Sequence, residues 1–139
     1  MIVVDTCILI DIADDDPTFA TSSIDCLSRH LAEGVLLSPV SYVELAPAFD
    51  GSTQLLDEFL AGVGVDASET FTANDRVTAF RAWSRHIREK RATRARRRPA
   101  ADALIGALAS RHEGIITRNG ADFSSFYPGL RIVDPMSTE

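Results

Sequence analysis

The sequence predicts an α/β fold of three layers, with helices covering both faces of a central parallel sheet of four to five strands. Three observations predict it. Short uninterrupted apolar runs, Ile2-Val3-Val4, Val35-Leu36-Leu37 and Ile115-Ile116-Thr117, read as strands buried on both faces. Longer segments whose apolar residues recur at helical spacing lie between them. Strands that alternate with helices in this way build a parallel sheet, because each parallel pair needs a long crossover.

Bulk properties place this fold in a soluble chain. The 139 residues are read as one domain, 1–139, and 45% hydrophobic with 24% charged residues is a globular balance. No apolar run approaches the ~20 residues of a membrane span. The chain opens directly on Ile2-Val3-Val4, with no basic region or cleavage site, so a cytoplasmic location is expected. Cys7 and Cys26 have no metal-type spacing and are expected to be reduced core thiols.

The net charge is −6, but its distribution says more than its sum. Residues 1–80 hold fourteen of the twenty acids and only Arg29 and Arg76 as bases. Nine of the fourteen bases fall between Arg81 and Arg98. A concentrated positive stripe binds phosphates even on an acidic molecule. The same stripe also reads as a solvated helix end.

Taken in order, Ile2-Val3-Val4 delivers Asp5, and Thr6 is expected to cap a short helix that stops in Asp14-Asp15-Asp16-Pro17. That acidic triplet is read as a solvated loop. Residues 18–33 form a second helix with Ile24, Leu27 and Leu31 on one stripe and Gly34 as its stop. After Val35-Leu36-Leu37, Ser38-Pro39 turns the chain into a helix carrying Glu44. A fourth helix runs through Leu55, Leu56, Phe59 and Leu60, and Val63-Gly64-Val65 is a candidate third strand before Asp66. The longest helix starts near Thr72, capped by Thr72 or Asn74, with Val77, Phe80, Trp83 and Ile87 keeping its period. Trp83 is read as core, not as a base-stacking platform. Residues 94–98 form a loop, and Pro99 opens a helix whose apolar face is Ala103, Leu104, Ala107 and Leu108. Gly114 ends that helix. Arg118-Asn119-Gly120 turns the chain after Ile115-Ile116-Thr117, residues 124–129 are loop, and Leu130-Arg131-Ile132-Val133 closes the sheet. His30, His86 and His112 are explained by polar helix faces.

Four acids stand out by position. Asp5, Glu44, Asp102 and Asp122 all follow strand ends or lie in first helical turns, and in an open α/β sheet those places face one crevice. Any one alone reads as a cap or a helix-dipole partner. Gathered in an apolar-walled crevice, four carboxylates repel and become protonated unless a cation is bound. None of the four comes with a nearby His or Cys suited to zinc, and all-oxygen ligation favours Mg²⁺, with Mn²⁺ as a substitute. The chemistry expected of such a site is metal-assisted hydrolysis of a phosphodiester. Asp5 and Asp102 are the firmest ligands, and Glu44 and Asp122 complete the shell or orient the attacking water. Thr6, Thr117 and Asn119 can hydrogen-bond ligands or phosphate, though capping and turn duties also account for them. Arg96, Arg97 and Arg98 are candidate phosphate contacts beside the crevice.

The chain resembles the PIN-domain family, and within it the small VapC-type toxins of bacterial toxin–antitoxin pairs. The pieces that carry the resemblance are Ile2-Val3-Val4-Asp5-Thr6, Ser38-Pro39-Val40-Ser41-Tyr42-Val43-Glu44-Leu45, Ala101-Asp102-Ala103-Leu104-Ile105, and Ile116-Thr117-Arg118-Asn119 followed by Asp122-Phe123. The resemblance implies a PIN-like fold and a Mg²⁺-dependent endoribonuclease with Asp5, Glu44, Asp102 and Asp122 as its acidic cluster and Asp5, Asp102 and Asp122 at the metal. It also implies a homodimer and a small VapB-type antitoxin that blocks the site. Two departures are Cys7, where the family often has Asn or Ser, and the dense basic tract 94–98. Two other readings compete. A receiver-like Mg²⁺-binding signalling module needs a Lys from a late strand end, and the chain's one Lys is Lys90. A PIN-like binding module without activity conflicts with the presence of all four acids.

Overall fold

The computed structural model describes residues 1–89 and 99–137, the side chain of Pro99 excepted. Five strands form one sheet: β1 (Ile2–Val4), β2 (Val35–Leu36), β3 (Val65–Asp66), β4 (Ile115–Ile116) and β5 (Ile132–Val133). Their order across the sheet is β3-β2-β1-β4-β5, and every pair is parallel. Among the described residues, seven α-helices surround it: α1 (Thr6–Ala13), α2 (Ala20–His30), α3 (Pro39–Glu44), α4 (Thr53–Val63), α5 (Ala73–Glu89), α6 (Pro99–Arg111) and α7 (Gly120–Ser124). The α/β class and the parallel sheet are as the sequence predicts.

Alternation along β1 generates the two faces. Ile2 and Val4 pack with Ile8 and Leu9 of α1, Leu27 of α2 and Leu56 and Leu60 of α4. Val3 points the other way, into Leu36, Ile115, Ile105 and Leu108, so α6 covers the second face. Each core strand is apolar at every position because both of its faces are covered. Helix α5 packs against α6 through Ala79 and Ala82 on Ala103 and Ala107.

The chain leaves β1 to fill one side of the sheet (β2, β3) and returns to fill the other (β4, β5). The strand order therefore reverses between β1 and β4. That is where an open α/β sheet splays its connections apart and leaves a crevice.

Several local expectations are corrected. The N-cap of α1 is Asp5, not Thr6: Asp5 is still extended (φ −78°, ψ 153°) and its side chain accepts the Thr6 N–H. The second helix starts at Ala20 and ends at His30, followed by a 3₁₀ turn at Leu31–Glu33. Its Ile24 and Leu31 are 45% and 42% exposed, so Cys26 and Leu27 carry the buried stripe. Gly64 caps α4 in the left-handed conformation (φ 80°) and is not part of β3. On α5 the small alanines face inward and Phe80 is 73% exposed, because close contact with α6 leaves room only for methyl groups. Thr72 is its cap: Thr72 Oγ1 accepts the Asp75 N–H (3.0 Å) and Asp75 Oδ2 accepts the Thr72 N–H (2.9 Å), a reciprocal capping pair. Residues 120–124 form a helix where a turn and the start of a loop were expected, and the closing strand narrows to Ile132–Val133. The expected loop 94–98 lies outside the described residues. Gly114 does end α6: its φ of +119° and a virtual Cβ only 2.5 Å from the Arg131 carbonyl oxygen exclude any side chain there.

Candidate active site

The sheet's carboxyl edge carries polar residues in an otherwise apolar interior. Asp5 and Thr117 follow β1 and β4 directly, Ser38 follows β2 after Leu37, and all three are buried. Ser38 caps α3 by accepting the Ser41 N–H at 3.0 Å, which starts that helix at Pro39 and carries Glu44 to its last position. Asp102 lies in the first turn of α6, and Asp122 in the first turn of α7.

One cleft of about 550 Å³ is lined by all four acids expected from the sequence, Asp5, Glu44, Asp102 and Asp122. Thr6, Cys7 and Asn119 also line it, and Ile10, Val43, Pro47 and Phe123 supply its apolar wall. Four segments distant in sequence thus reach the same opening. Asp5 is 7% exposed, whereas Glu44 and Asp122 are exposed on the rim.

Two threonines hold two of the acids. Thr117 Oγ1 donates to Asp5 Oδ2 at 2.7 Å, across the seam between β4 and β1. Thr6 Oγ1 donates to Glu44 Oε1 at 2.6 Å, tying α1 to α3. The Asn119 N–H in turn donates to Thr117 Oγ1 at 2.9 Å. Thr6 and Thr117 therefore orient carboxylates, and Asn119 contributes its backbone to the same chain of bonds.

Burial is the largest influence on Asp5 and pushes its carboxyl pKa up. Bonds from Thr117, Cys7 and the Thr6 N–H pull it back, and the charge of Glu44 raises it again. A buried anion with another acid beside it is the situation a cation relieves. The donor set consists of carboxylate oxygens, which suits a hard divalent ion that keeps several of its waters. Among the described residues, no three His, Cys, Asp or Glu side chains are drawn together tightly enough to hold an ion unaided. At their present spacing these carboxylates would give an ion only part of its shell, and waters would have to supply the rest.

Sequence reasoning missed two features. Cys7 is half-buried beside the acids, not a core filler, with its S–H donating to Asp5 Oδ2 at 3.5 Å. Burial and the Asp5 charge push its thiol up to about 11, so it stays protonated and unreactive near neutral pH. The second is a buried pair, Asp11 with Arg118, one residue beyond Thr117. A lone acid on the apolar face Ile8-Leu9-Ile12 was the available signal. Arg96, Arg97 and Arg98 lie outside the described residues.

A PIN domain family model matches residues 2–127. The chain belongs to the PIN domain family. Proteins with PIN domains are generally nucleases. Solved structures of similar fold include FitAB bound to the IR36 DNA fragment, with 18% identity, 100% of this chain and 98% of that chain covered, and a TM-score of 0.70. FitAcB from Neisseria gonorrhoeae has 20% identity, 99% and 100% coverage and a TM-score of 0.68. VapBC2 from Rickettsia felis, bound to a DNA fragment from its promoter, has 18% identity, 96% and 98% coverage and a TM-score of 0.71. No curated protein matches the chain in sequence. At such identities these PIN neighbours speak to the fold. No helix among the described residues is long and apolar enough to cross a membrane.

Proposed function

We propose that this PIN-domain protein is a VapC-type toxin, a Mg²⁺-dependent endoribonuclease of the cytoplasm, acting as a homodimer and silenced by a VapB-type antitoxin. The observation that carries the reading is the single cleft shared by Asp5, Glu44, Asp102 and Asp122 at the reversal of strand order. The fold neighbours FitAB and VapBC2 support a partnered protein, and the DNA in those structures belongs to those assemblies.

When bound, a hard divalent ion supplies a more acidic water and relief of the charge that builds on a phosphodiester. Asp5, Asp102 and Asp122 would hold it, with Mn²⁺ able to replace Mg²⁺. Thr117 keeps one Asp5 oxygen turned to the sheet seam, which fixes the carboxylate plane. Glu44 has Oε1 engaged by Thr6, so its second oxygen is the one that accepts a hydrogen bond from an attacking water. Ile10 and the buried Phe123 form the inner apolar wall, where a lower dielectric strengthens these contacts. Arg96, Arg97 and Arg98, a few residues before Asp102 in sequence, would grip backbone phosphates, and Asn119 on the cleft rim would meet the same strand.

A receiver-like module is disfavoured because β5, the last strand, is followed by Asp134, and the sole Lys of the chain is far from any strand end in sequence. An inactive binding module is disfavoured by the presence of all four acids on one cleft.

The test is cleavage of RNA by purified protein. Cutting should require Mg²⁺ or Mn²⁺, stop with chelator, and be lost in Asp102→Asn and Glu44→Gln while circular dichroism is unchanged. Full activity in Asp102→Asn overturns the reading. Replacing one of Arg96–Arg98 should lower the salt slope of RNA binding by about 0.7.

A further inference from the structure

The Asp11–Arg118 pair is more elaborate than a surface ion pair. Arg118 Nε donates to Asp11 Oδ2 at 2.7 Å and its Nη2 to Oδ1 at 3.0 Å, a two-pronged arrangement with fixed orientation. The Asp11 carboxylate is almost fully buried, and the Ser23 hydroxyl reaches it at 3.5 Å from α2. The guanidinium lies under the Phe19 ring, 3.8 Å from its centroid. Phe19 is itself placed by Asp16, whose Oδ1 accepts the N–H groups of Thr18 (2.8 Å) and Phe19 (2.9 Å). One member of the acidic triplet is therefore a turn former and not merely solvated. Desolvation of such a pair offsets much of its Coulombic gain, so stability alone does not account for it.

What they orient is adjacent. Arg118 separates Thr117, which donates to Asp5, from Asn119, whose N–H holds the Thr117 hydroxyl. Cys7 of α1 donates to the same Asp5 oxygen that Thr117 holds, so α1 and residues 117–119 meet at that oxygen. We propose that Asp11 and Arg118 are positioning residues for the nuclease site: the pair locks residues 117–119 onto α1 and so fixes the Asp5 carboxylate through Thr117. The proposal rests on the nuclease reading for its functional consequence but not for its structural one.

Two measurements separate these. The first is amide hydrogen exchange in wild type, Asp11→Asn and Arg118→Lys, with no metal present. The pair predicts at least tenfold faster exchange at Asn119 in both variants, while Val3 and Val4 in the core keep wild-type rates. Unchanged exchange at Asn119, or an equal rise at Val3 and Val4, overturns the proposal. The second is Mn²⁺ affinity by calorimetry, in a cycle with Thr117→Val. Residues that hold a ligand in place typically change metal affinity 10–100-fold when removed. Asp11→Asn should weaken Mn²⁺ about tenfold alone and add less than twofold on top of Thr117→Val, because both act through one hydroxyl. Full additivity overturns it. If wild-type protein neither binds Mn²⁺ nor cuts RNA, the nuclease reading fails, and the exchange experiment still decides the positioning role.

Discussion

Asp5→Asn separates what the site contributes to folding from what it contributes to chemistry. The carboxylate is buried, and its pKa is raised with burial as the first cause. The ionised form is therefore less comfortable in the folded chain than in the unfolded one. Stability from this group is fully present below its ordinary pKa and is lost as pH rises through the raised folded value. At pH 7 the cation-free protein carries that penalty. Asparagine keeps the shape, accepts the Thr6 N–H as an equally good N-cap, and can donate to the Thr117 hydroxyl after it rotates. Against the several kcal/mol of desolvation recovered stands the loss of charge-assisted bonds from Thr117 and the helix end, leaving a net gain of about 1 kcal/mol. For a chain of this length that raises Tm by about 4 °C. Divalent cation reverses the order. At a hundred times its Kd a ligand adds about 2.7 kcal/mol to the wild type and little to Asp5→Asn, which places the wild type about 7 °C higher. Differential scanning fluorimetry at pH 7, with chelator and with MnCl₂, reads both numbers. A variant less stable than wild type in chelator, or one that gains equally from Mn²⁺, refutes the argument.

Arg111→Met should cost about 3 kcal/mol in urea unfolding at pH 7, since Asp75, 2% exposed, loses the guanidinium that bonds both its oxygens at 3.0 and 2.8 Å. That guanidinium holds the Asp75 carboxyl below its usual range, so the stability it lends is present above the ordinary carboxylate pKa and lost as pH falls through the folded value. The gap between wild type and variant should therefore narrow in acid, and a gap independent of pH contradicts the pairing. Gly106→Ala should destabilise by about 1–3 kcal/mol, because the added methyl would collide with Tyr127 Cε2 and displace a ring whose hydroxyl bonds the Ala103 carbonyl. An unchanged melting point would show that the ring yields freely.

The elements legible in the sequence are those with one dominant signal. Strands β1, β2 and β4 are apolar at every position and admit no other reading. Ser38-Pro39 and Pro99 mark helix starts by chemistry that acts within a few residues. Asp5, Glu44 and Asp102 follow β1, Ser38-Pro39 and Pro99, whereas Asp122 sits in a helix that the sequence did not show. The misread elements depend on distance. The inward face of α5 is chosen by how near α6 lies, so alanines outrank Phe80 there, and a periodicity weighted by side-chain size picks the wrong stripe. Helix α7 hides behind Asn119-Gly120, a dipeptide that signals a turn whether or not a helix follows. The Asp11–Arg118 pair joins positions 107 apart, and neither partner reveals the other in sequence.

The outermost strands, β3 and β5, are two residues each. An incoming extended segment would find one or two ladder bonds at either border, too few to offset the ordering of its own backbone at about 1–2 kcal/mol per residue. Pro135, just beyond β5, closes that border further by removing a donor. The sheet is thus blind to strand recruitment. Association by strand addition is thereby closed at both of these borders.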